Sequence, residues 1–257
     1  MSARNIGVDQ QSVEPLPSRS ESAYDRTRAA ILTGELEAGR PYSQVALIDQ
    51  LEVGRTPLRE AIRRLQSEGL LESERGRRIL VAPLNSADLE QLYAMRISQE
   101  SLGVCLSVPR LHDSDLEAAR AALDEHLMAC ERRDLAAARE PHRTFHRILF
   151  SAAGSRFVNT LTELWDHAER YRRLYFKEQD DQLALLQLAA SEHEALYDAA
   201  ERREAGLCAE LIARHLARTA LTVSARQTDD ADLADVRVAM RLVIQGTAAG
   251  ADPSAGR

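Results

Sequence analysis

The sequence has few aromatic residues, few cysteines and no long apolar run. Aromatic residues make up 4% of the 257 residues, and the three cysteines are Cys105, Cys130 and Cys208. The cysteines lie far apart and lack the spacing of a metal or disulfide motif, so we expect free thiols in a reducing compartment. No apolar stretch approaches the roughly 20 residues that span a bilayer, and the N-terminus lacks the apolar core of a signal peptide. We therefore expect a cytoplasmic protein with no membrane partner.

The chain also lacks the positive net charge of a protein that coats nucleic acid. Its formal net charge at pH 7 is −7. The charge is unevenly distributed, because residues 22–83 carry ten arginines against nine acidic residues and the acidic excess lies in residues 84–257. Any contact with DNA is therefore expected to be confined to the N-terminal segment.

Gly-rich phosphate loops, nucleophile elbows and internal repeats are absent as well. The composition is dominated by Ala, Leu, Arg and Glu, which predicts a mainly α protein. Three helical segments are followed by two short β-forming runs around a charged turn, a pattern typical of a winged helix-turn-helix. From Ser86 onward the pattern predicts an antiparallel all-α bundle. The predicted organisation is a disordered arm at 1–20, a winged helix-turn-helix at 21–83, a helical domain at 84–228, and an acidic, then Gly/Ala-rich tail at 229–257 with room for one helix.

The third predicted helix has the features of a DNA recognition helix. Thr56 is a suitable N-cap ahead of Pro57, and Arg55, Arg59 and Arg63 recur at four-residue spacing on one side. The first residues of such a helix meet base edges in the major groove, where arginine can bind guanine O6 and N7 with two hydrogen bonds. We therefore expect Arg55, Thr56 and Arg59 at base edges, and Arg63 and Arg64, one to two turns further on, at phosphates.

The predicted hairpin supports the same interpretation. Arg75 and Arg77 flank Gly76, and the absence of a side chain there allows a close approach to the DNA backbone or minor groove. Taken singly, each arginine is more often ordinary solvated surface. The combination of a capped helix, regular arginine spacing and a basic wing favours DNA binding over that alternative.

The segment from Gly54 to Leu71, GRTPLREAIRRLQSEGLL, resembles the signature of the GntR family of bacterial regulators. The segment ILTGEL at 31–36 is similar to that family's first helix and turn. The C-terminal half resembles the all-helical ligand-binding (FCD) domain of the FadR branch, nearest its VanR-like group. The resemblance implies an effector-binding and dimerisation role for residues 84–228, and a homodimer on a palindromic double-stranded DNA operator, usually as a repressor. It also implies DNA contacts at Arg55, Thr56, Arg59, Arg75 and Gly76.

Two positions depart from the family pattern. Gly54 stands where a polar residue is common, and Val45 stands where an arginine is common. Each departure removes one candidate contact with DNA or one candidate helix cap.

Four of the seven histidines form a pattern of their own. His142 and His146 lie four residues apart, so both rings project from one face of a predicted helix. His193 and His215 lie on two later predicted helices. Helical bundles build metal sites from facing helices, and neutral imidazole suits Zn, Ni, Cu, Fe and Mn. The spacing alone leaves a metal site and an ordinary surface pair about equally favoured.

The family resemblance favours the metal site. Metal-binding members of the branch carry an Asp, three residues, then His, and two later histidines. His146, His193 and His215 match the three histidine positions, and His142 stands at the Asp position. The resemblance therefore implies an all-nitrogen site for a divalent transition metal, zinc in the first place, with nickel or manganese as alternatives. The other histidines, His112, His126 and His167, are predicted to be surface or structural.

Arg96 matches the arginine that is common on the first effector-domain helix of the family, which implies that it binds a small organic acid effector. An ion pair with Glu100, four residues further on, is an equally favoured role for Arg96. Arg172, Arg173 and Tyr175 are further candidates for the pocket. The resulting prediction is a metal- and carboxylate-responsive regulator that is not an enzyme.

Two alternatives remain open from the sequence. One is a helical metal-dependent hydrolase, which is disfavoured because no Glu is placed as a general base beside the histidine pair. The other is a DNA-binding protein whose helical domain only dimerises.

Overall fold

The computed structural model describes residues 19–74, 78–175, 182–225 and 233–250. They form two compact units. The N-terminal unit extends to residue 82 but excludes residues 32–34, and the second unit contains residues 32–34 and the residues from 83 onward. Most of the predicted arm at 1–20, the hairpin tip at 75–77 and the ends of the predicted tail lie outside the described residues. Within those residues, no helix combines the length and the low polarity needed to cross a bilayer.

The N-terminal unit contains three helices and a small antiparallel sheet. The helices are α1 (Arg19–Thr33), α2 (Gln44–Leu51) and α3 (Arg55–Ser67), and the strands are β1 (Pro41–Tyr42), β2 (Leu71–Glu74) and β3 (Arg78–Val81). The strand order is β1-β3-β2, and Glu74 pairs with Arg78 at the turn end of the hairpin. This is the predicted helix order and hairpin. Strand β1 was not predicted, because two residues are too short to show an alternating pattern.

The apolar stripe of α3 anchors this unit. Leu58, Ile62 and Leu65 are buried, as their i, i+4, i+7 spacing predicts. The predicted cap at Thr56 is wrong: α3 begins at Arg55, and its N-cap is Gly54, whose backbone is extended and which offers no side chain. Ser43 is the N-cap of α2, as expected for a serine directly before a helix, and its hydroxyl accepts a hydrogen bond of 3.1 Å from the amide of Ala46.

The second unit is a bundle of seven helices in the described part of the chain. They are α4 (Ser86–Ser107), α5 (Asp113–Glu131), α6 (Arg139–Leu149), α7 (Ser155–Tyr175), α8 (Gln182–Glu201), α9 (Ala205–Ala225) and α10 (Ala234–Gly250). Helix α4 packs against α7, α9 and α10, and α5 packs against α6 and α8. The mainly helical architecture agrees with the predicted fold class.

Helix α10 differs from the separate tail that the sequence suggested. Leu233, Val236 and Ala239 are buried in the same apolar core as α4 and α9. Their three-residue spacing gives the helix one apolar face, and that face packs on the bundle. Residues 233–250 therefore belong to the helical unit rather than to a free tail.

Candidate functional site

Four histidines from three helices converge inside the helical unit. His142 and His146 come from α6, His193 from α8 and His215 from α9, and all four are buried. One ring nitrogen of each lies within 4.8 Å of a ring nitrogen of every other. The structure therefore brings together all four histidines that the sequence singled out.

The arrangement of nitrogens fits a metal ion. The Nε2 atoms of His146 and His193 face each other at 3.1 Å. Two nitrogens bound to one tetrahedral zinc ion at 2.0–2.1 Å lie roughly 3.3–3.4 Å apart, so this pair already has close to the required separation. The Nδ1 atoms of His142 and His193 are buried without a hydrogen-bond partner in the described part of the chain. The widest nitrogen–nitrogen separation in the cluster exceeds the separation of two nitrogens on one zinc ion, so binding would draw the four rings closer together.

The protonation state of the rings also suits a metal. Burial, assisted by neighbouring positive groups, lowers the pKa of His142, His146 and His193 well below the usual value. Burial lowers the pKa of His215 as well, although the carboxylate of Glu192 opposes the shift. Only neutral imidazole offers a lone pair to a metal, so the four rings are held in the form that can bind one.

Glu192 is a carboxylate at the edge of the cluster that the sequence analysis did not identify. Its Oε2 accepts a hydrogen bond of 2.7 Å from Nδ1 of His215. Its Oε1 accepts a second, of 2.6 Å, from Nε of Arg218. Burial acts to raise the pKa of Glu192, but the hydrogen bonds from His215 and Arg218 outweigh it and hold the pKa at about 2. Glu192 is therefore a carboxylate anion at neutral pH.

His126 forms one wall of the cluster. Its ring centroid lies 4.9 Å from that of His142 and 5.3 Å from that of His193. Its Nδ1 lies 3.0 Å from the carbonyl oxygen of Ala138, and burial lowers its pKa to about 4. It was predicted to be surface or structural, and it lies in the interior. Its spacing from Leu123, within the buried stripe of α5, was the signal for this position.

A small cavity opens beside the cluster, with a volume of about 40 Å³. On the same volume scale a water molecule takes up roughly 10–15 Å³, so the cavity has room for an ion and a few small groups. Apart from the histidines, its lining includes Arg96, Trp165 and Arg172. The side chains of Arg173 and Tyr175, which were further candidates for this pocket, lie outside the described residues.

Arg96 forms an ion pair with Glu100 and also lines the cavity. Its Nε donates to Oε1 of Glu100 over 2.7 Å, and both side chains are at least 95% buried. Its guanidinium also lies 4.6 Å from the centre of the Trp165 ring and lines the cavity. The predicted ion pair therefore exists, and it holds the guanidinium at the wall of the cavity.

The DNA-binding candidates on α3 share one exposed face. Arg55, Thr56, Arg59 and Arg63 are all exposed in the N-terminal unit. A shallow groove between α3 and the hairpin is lined by Arg59 and Arg63, together with Gln44, Gln66, Ser73 and Arg78. The position of Gln44 in this groove was not predicted, because a single glutamine at the start of α2 carries no pattern. The predicted wing contacts Arg75, Gly76 and Arg77 lie outside the described residues.

Arg64 lies on a different side of α3 from this groove. It pairs with Glu68 over 3.1 Å, and its guanidinium stacks 3.7 Å from the centre of the Tyr24 ring. These contacts tie Arg64 to its own unit and distinguish it from Arg59 and Arg63.

Comparison with known proteins gives a consistent result for both units. The profile of the family described as "Bacterial regulatory proteins, gntR family" matches residues 19–81, and the FCD domain profile matches residues 91–218. The uncharacterized HTH-type transcriptional regulator BphR of Paraburkholderia xenovorans is 30% identical over 207 residues, which cover 76% of this chain and 81% of the relative. The HTH-type transcriptional repressor GlaR of Escherichia coli is 27% identical over 203 residues, covering 77% and 92%.

Among solved structures, E. coli McbR/YncC has a similar fold. It superposes with a TM-score of 0.73 at 20% identity and covers 83% of this chain and 100% of its own.

Proposed function

Since this chain belongs to the GntR family and carries an FCD domain, we propose that it is a metal- and carboxylate-responsive repressor that binds a palindromic operator as a dimer. Family membership makes the chain a DNA-binding transcriptional regulator and not an enzyme. The metal-dependent hydrolase that remained open from the sequence is set aside by this finding. The observation that carries the finer proposal is the convergence of four buried histidines beside a cavity lined by Arg96.

The proposal assigns DNA binding to residues 21–83. Arg55, Thr56 and Arg59 stand at the exposed start of α3 and would read base edges, while Arg63 would contact phosphate. The assignment extends to Arg75, Gly76 and Arg77 of the wing on the family resemblance alone. A single winged helix reads few base pairs, so a dimer on two half-sites about one turn apart would supply the specificity.

The proposal assigns metal and effector binding to residues 84–228. His142, His146, His193 and His215 would hold one divalent transition metal, with zinc as the first candidate because all four donors are nitrogens. When bound, the ion would supply a Lewis-acidic centre of charge +2 at the wall of the cavity. All four ligands are neutral, so none of them offsets that charge, and the Glu192 carboxylate beside His215 is already paired with Arg218.

The charges around the cavity explain why the effector would be an anion. Arg96 is paired with Glu100, and Arg172 has a carboxylate oxygen of Glu169 at 3.5 Å. Since these fixed charges already have partners, a bound divalent ion would be matched by an incoming carboxylate. The indole Nε1–H of Trp165 is buried, lines the cavity and has no hydrogen-bond partner among the described residues. It offers one donor to such a carboxylate, and the guanidinium of Arg96 offers others.

The fluorescence of a tryptophan beside the histidine cluster can report metal binding. Trp165 is its single tryptophan, is 4% exposed, and has its ring centroid 5.0 Å from that of His146. We expect a titration of chelator-treated protein with Zn²⁺, Ni²⁺ and Mn²⁺ to change the fluorescence of Trp165 with a stoichiometry of one ion per chain. His193→Ala should abolish the response, whereas His112→Gln, at an exposed position outside the cluster, should retain it. No stoichiometric ion in the wild-type protein would refute the metal assignment.

The effector is tested on the metal-loaded protein. Operator fragments are first selected by the protein from random double-stranded DNA, and their affinity is then measured by fluorescence anisotropy with a series of small organic acids. We expect at least one acid to change operator affinity in the metal-loaded protein, and no effect after metal removal. If no acid changes the affinity while operator binding is intact, the helical domain serves only to dimerise, which is the remaining alternative.

A further inference from the structure

The side chain of Glu192 connects α8, which carries His193, with α9, which carries His215. It precedes His193 on α8, and its carboxylate crosses to α9, where it accepts the Nδ1–H of His215 at 2.7 Å. Arg218, three residues after His215 on α9, donates to both carboxylate oxygens of Glu192, with an Nε to Oε1 distance of 2.6 Å. The carboxylate is therefore fixed from two sides and has little freedom to turn away from His215.

This hydrogen bond determines which nitrogen His215 presents. An imidazole whose Nδ1–H is donated to a carboxylate carries its lone pair on Nε2. The Nδ1 atoms of His142 and His193, by contrast, have no hydrogen-bond partner in the part of the chain that the structure describes. His215 thus has its tautomer fixed by an anion, and His142 and His193 do not.

We propose that Glu192 is a positioning residue for the metal, which fixes His215 as an Nε2 ligand and places a negative charge one hydrogen bond away from the ring of that ligand. This inference rests on the proposed function, since it assumes that the four histidines bind one ion. A carboxylate in this position raises the basicity of the ligand and fixes the orientation of its ring. Arg218 completes the arrangement by holding the carboxylate in place.

The test compares Glu192→Gln with a matched control on the same helix. Glu194, two residues further on, also forms a two-point ion pair across helices, with Arg120 on α5 at 2.7 and 3.0 Å. Glu194→Gln therefore removes a comparable interhelical carboxylate without touching the cluster. In Glu192→Gln, the side chain loses its negative charge and only one of its two terminal atoms can still accept, so either the hydrogen bond to Oε1 or those to Oε2 are lost.

The measurements are the Zn²⁺ affinity, by competition with a chromophoric chelator, and the visible absorption spectrum of the Co²⁺-loaded protein. Losing such a partner of a metal ligand typically lowers affinity 10–100-fold. We expect a loss of that order in Glu192→Gln together with a changed Co²⁺ spectrum, and a change of less than about twofold in Glu194→Gln. The melting temperature of each metal-free variant shows whether it folds.

The outcomes separate this inference from the function on which it rests. If the wild-type protein binds one ion and Glu192→Gln binds it with equal affinity and an equal Co²⁺ spectrum, Glu192 is only a structural tie between α8 and α9, and the inference is overturned. A lowered melting temperature of the metal-free variant with unchanged affinity leads to the same conclusion. If the wild-type protein binds no ion, the proposed metal site and this inference both fail.

Discussion

Removal of the metal should destabilise the helical unit and leave the N-terminal unit unchanged. All four histidines lie on α6, α8 and α9, which belong to the helical unit. An ion that binds only the folded form stabilises it by RT ln(1 + [L]/Kd), about 2.7 kcal/mol at a free concentration of 100 times Kd. The free energy of unfolding of this unit should fall by that amount when a chelator removes the ion.

The magnitude in temperature follows from the size of the unit. Each kcal/mol shifts the melting temperature of a domain of 150–250 residues by roughly 2–4 °C. The expected shift is therefore about 5–11 °C for the transition of the helical unit, and none for the transition of the N-terminal unit. This selectivity distinguishes binding at the cluster from a general effect of the ion on the whole chain.

Differential scanning calorimetry with and without Zn²⁺ is the measurement, with His193→Ala as the variant. The ring of His193 is 1% exposed and takes part in the 3.1 Å contact with His146, so its removal deletes one ligand. The variant should show no metal-dependent shift. An equal shift in wild type and variant, or a shift confined to the N-terminal unit, would refute the reasoning.

Four further predictions address the other parts of the molecule. Arg59→Ala should weaken binding to a selected operator by about 1–3 kcal/mol and binding to scrambled DNA only a little. Arg64→Ala, which removes a guanidinium held by Glu68, should weaken binding to the two DNAs equally and by less. Gel-shift titrations measure both affinities, and an equal loss on both DNAs from Arg59→Ala contradicts base readout. Sedimentation should show a dimer both free and on DNA, and a monomer in both states would exclude the two-half-site arrangement. Leu58→Ala should lower the free energy of unfolding of the N-terminal unit by about 2–5 kcal/mol in denaturant titrations, because Leu58 is 0% exposed, and a cost below about 1 kcal/mol contradicts this packing. Tyr171→Phe should reduce the effector-induced change in operator affinity more than it reduces the separate affinities for effector and operator. An unchanged effector-induced change shows that its hydroxyl is not involved in the coupling.

Periodicity was sufficient to predict the elements that bury a regular stripe. In α3, Leu58, Ile62 and Leu65 specify the inward face, and the arginines are left on another side of the same helix. The start of that helix was predicted less well. Threonine and glycine have similar intrinsic preferences for an N-cap, and the extended backbone of Gly54 takes that position here. Cap preferences differ by about 1 kcal/mol or less, and neighbouring turn geometry can outweigh them.

The histidine cluster was predictable only in part. The pair on α6 follows from four-residue spacing, and the two later histidines came from the family resemblance. The contacts of Glu192 and His126 with the cluster could not be predicted, although the spacing of His126 from Leu123 indicated that it is buried, because those contacts depend on how α8 meets α9 and how α5 meets α6. Such contacts are determined by helix packing angles and side-chain direction, which a one-dimensional pattern does not contain.

Helix α7 gives the proposed effector site a physical connection to the start of the helical unit. Its residue Arg172 lines the cavity, and Arg96 of α4 lines it from another side. The neighbouring Tyr171 donates its hydroxyl hydrogen to Asp88 at 2.5 Å and accepts the backbone N–H of Asn85 at 3.2 Å. Asn85 is the N-cap of α4 and lies three residues after the last residue of the N-terminal unit.

An effector that changes the position of α7 relative to α4 must therefore stretch or move the two hydrogen bonds of the Tyr171 hydroxyl. Coupling between an effector and DNA needs about 1–3 kcal/mol, and hydrogen bonds to a charged group fall in the same range. Loss of the hydroxyl would allow α7 to move without moving the start of α4, which is why Tyr171→Phe should separate effector binding from the DNA response.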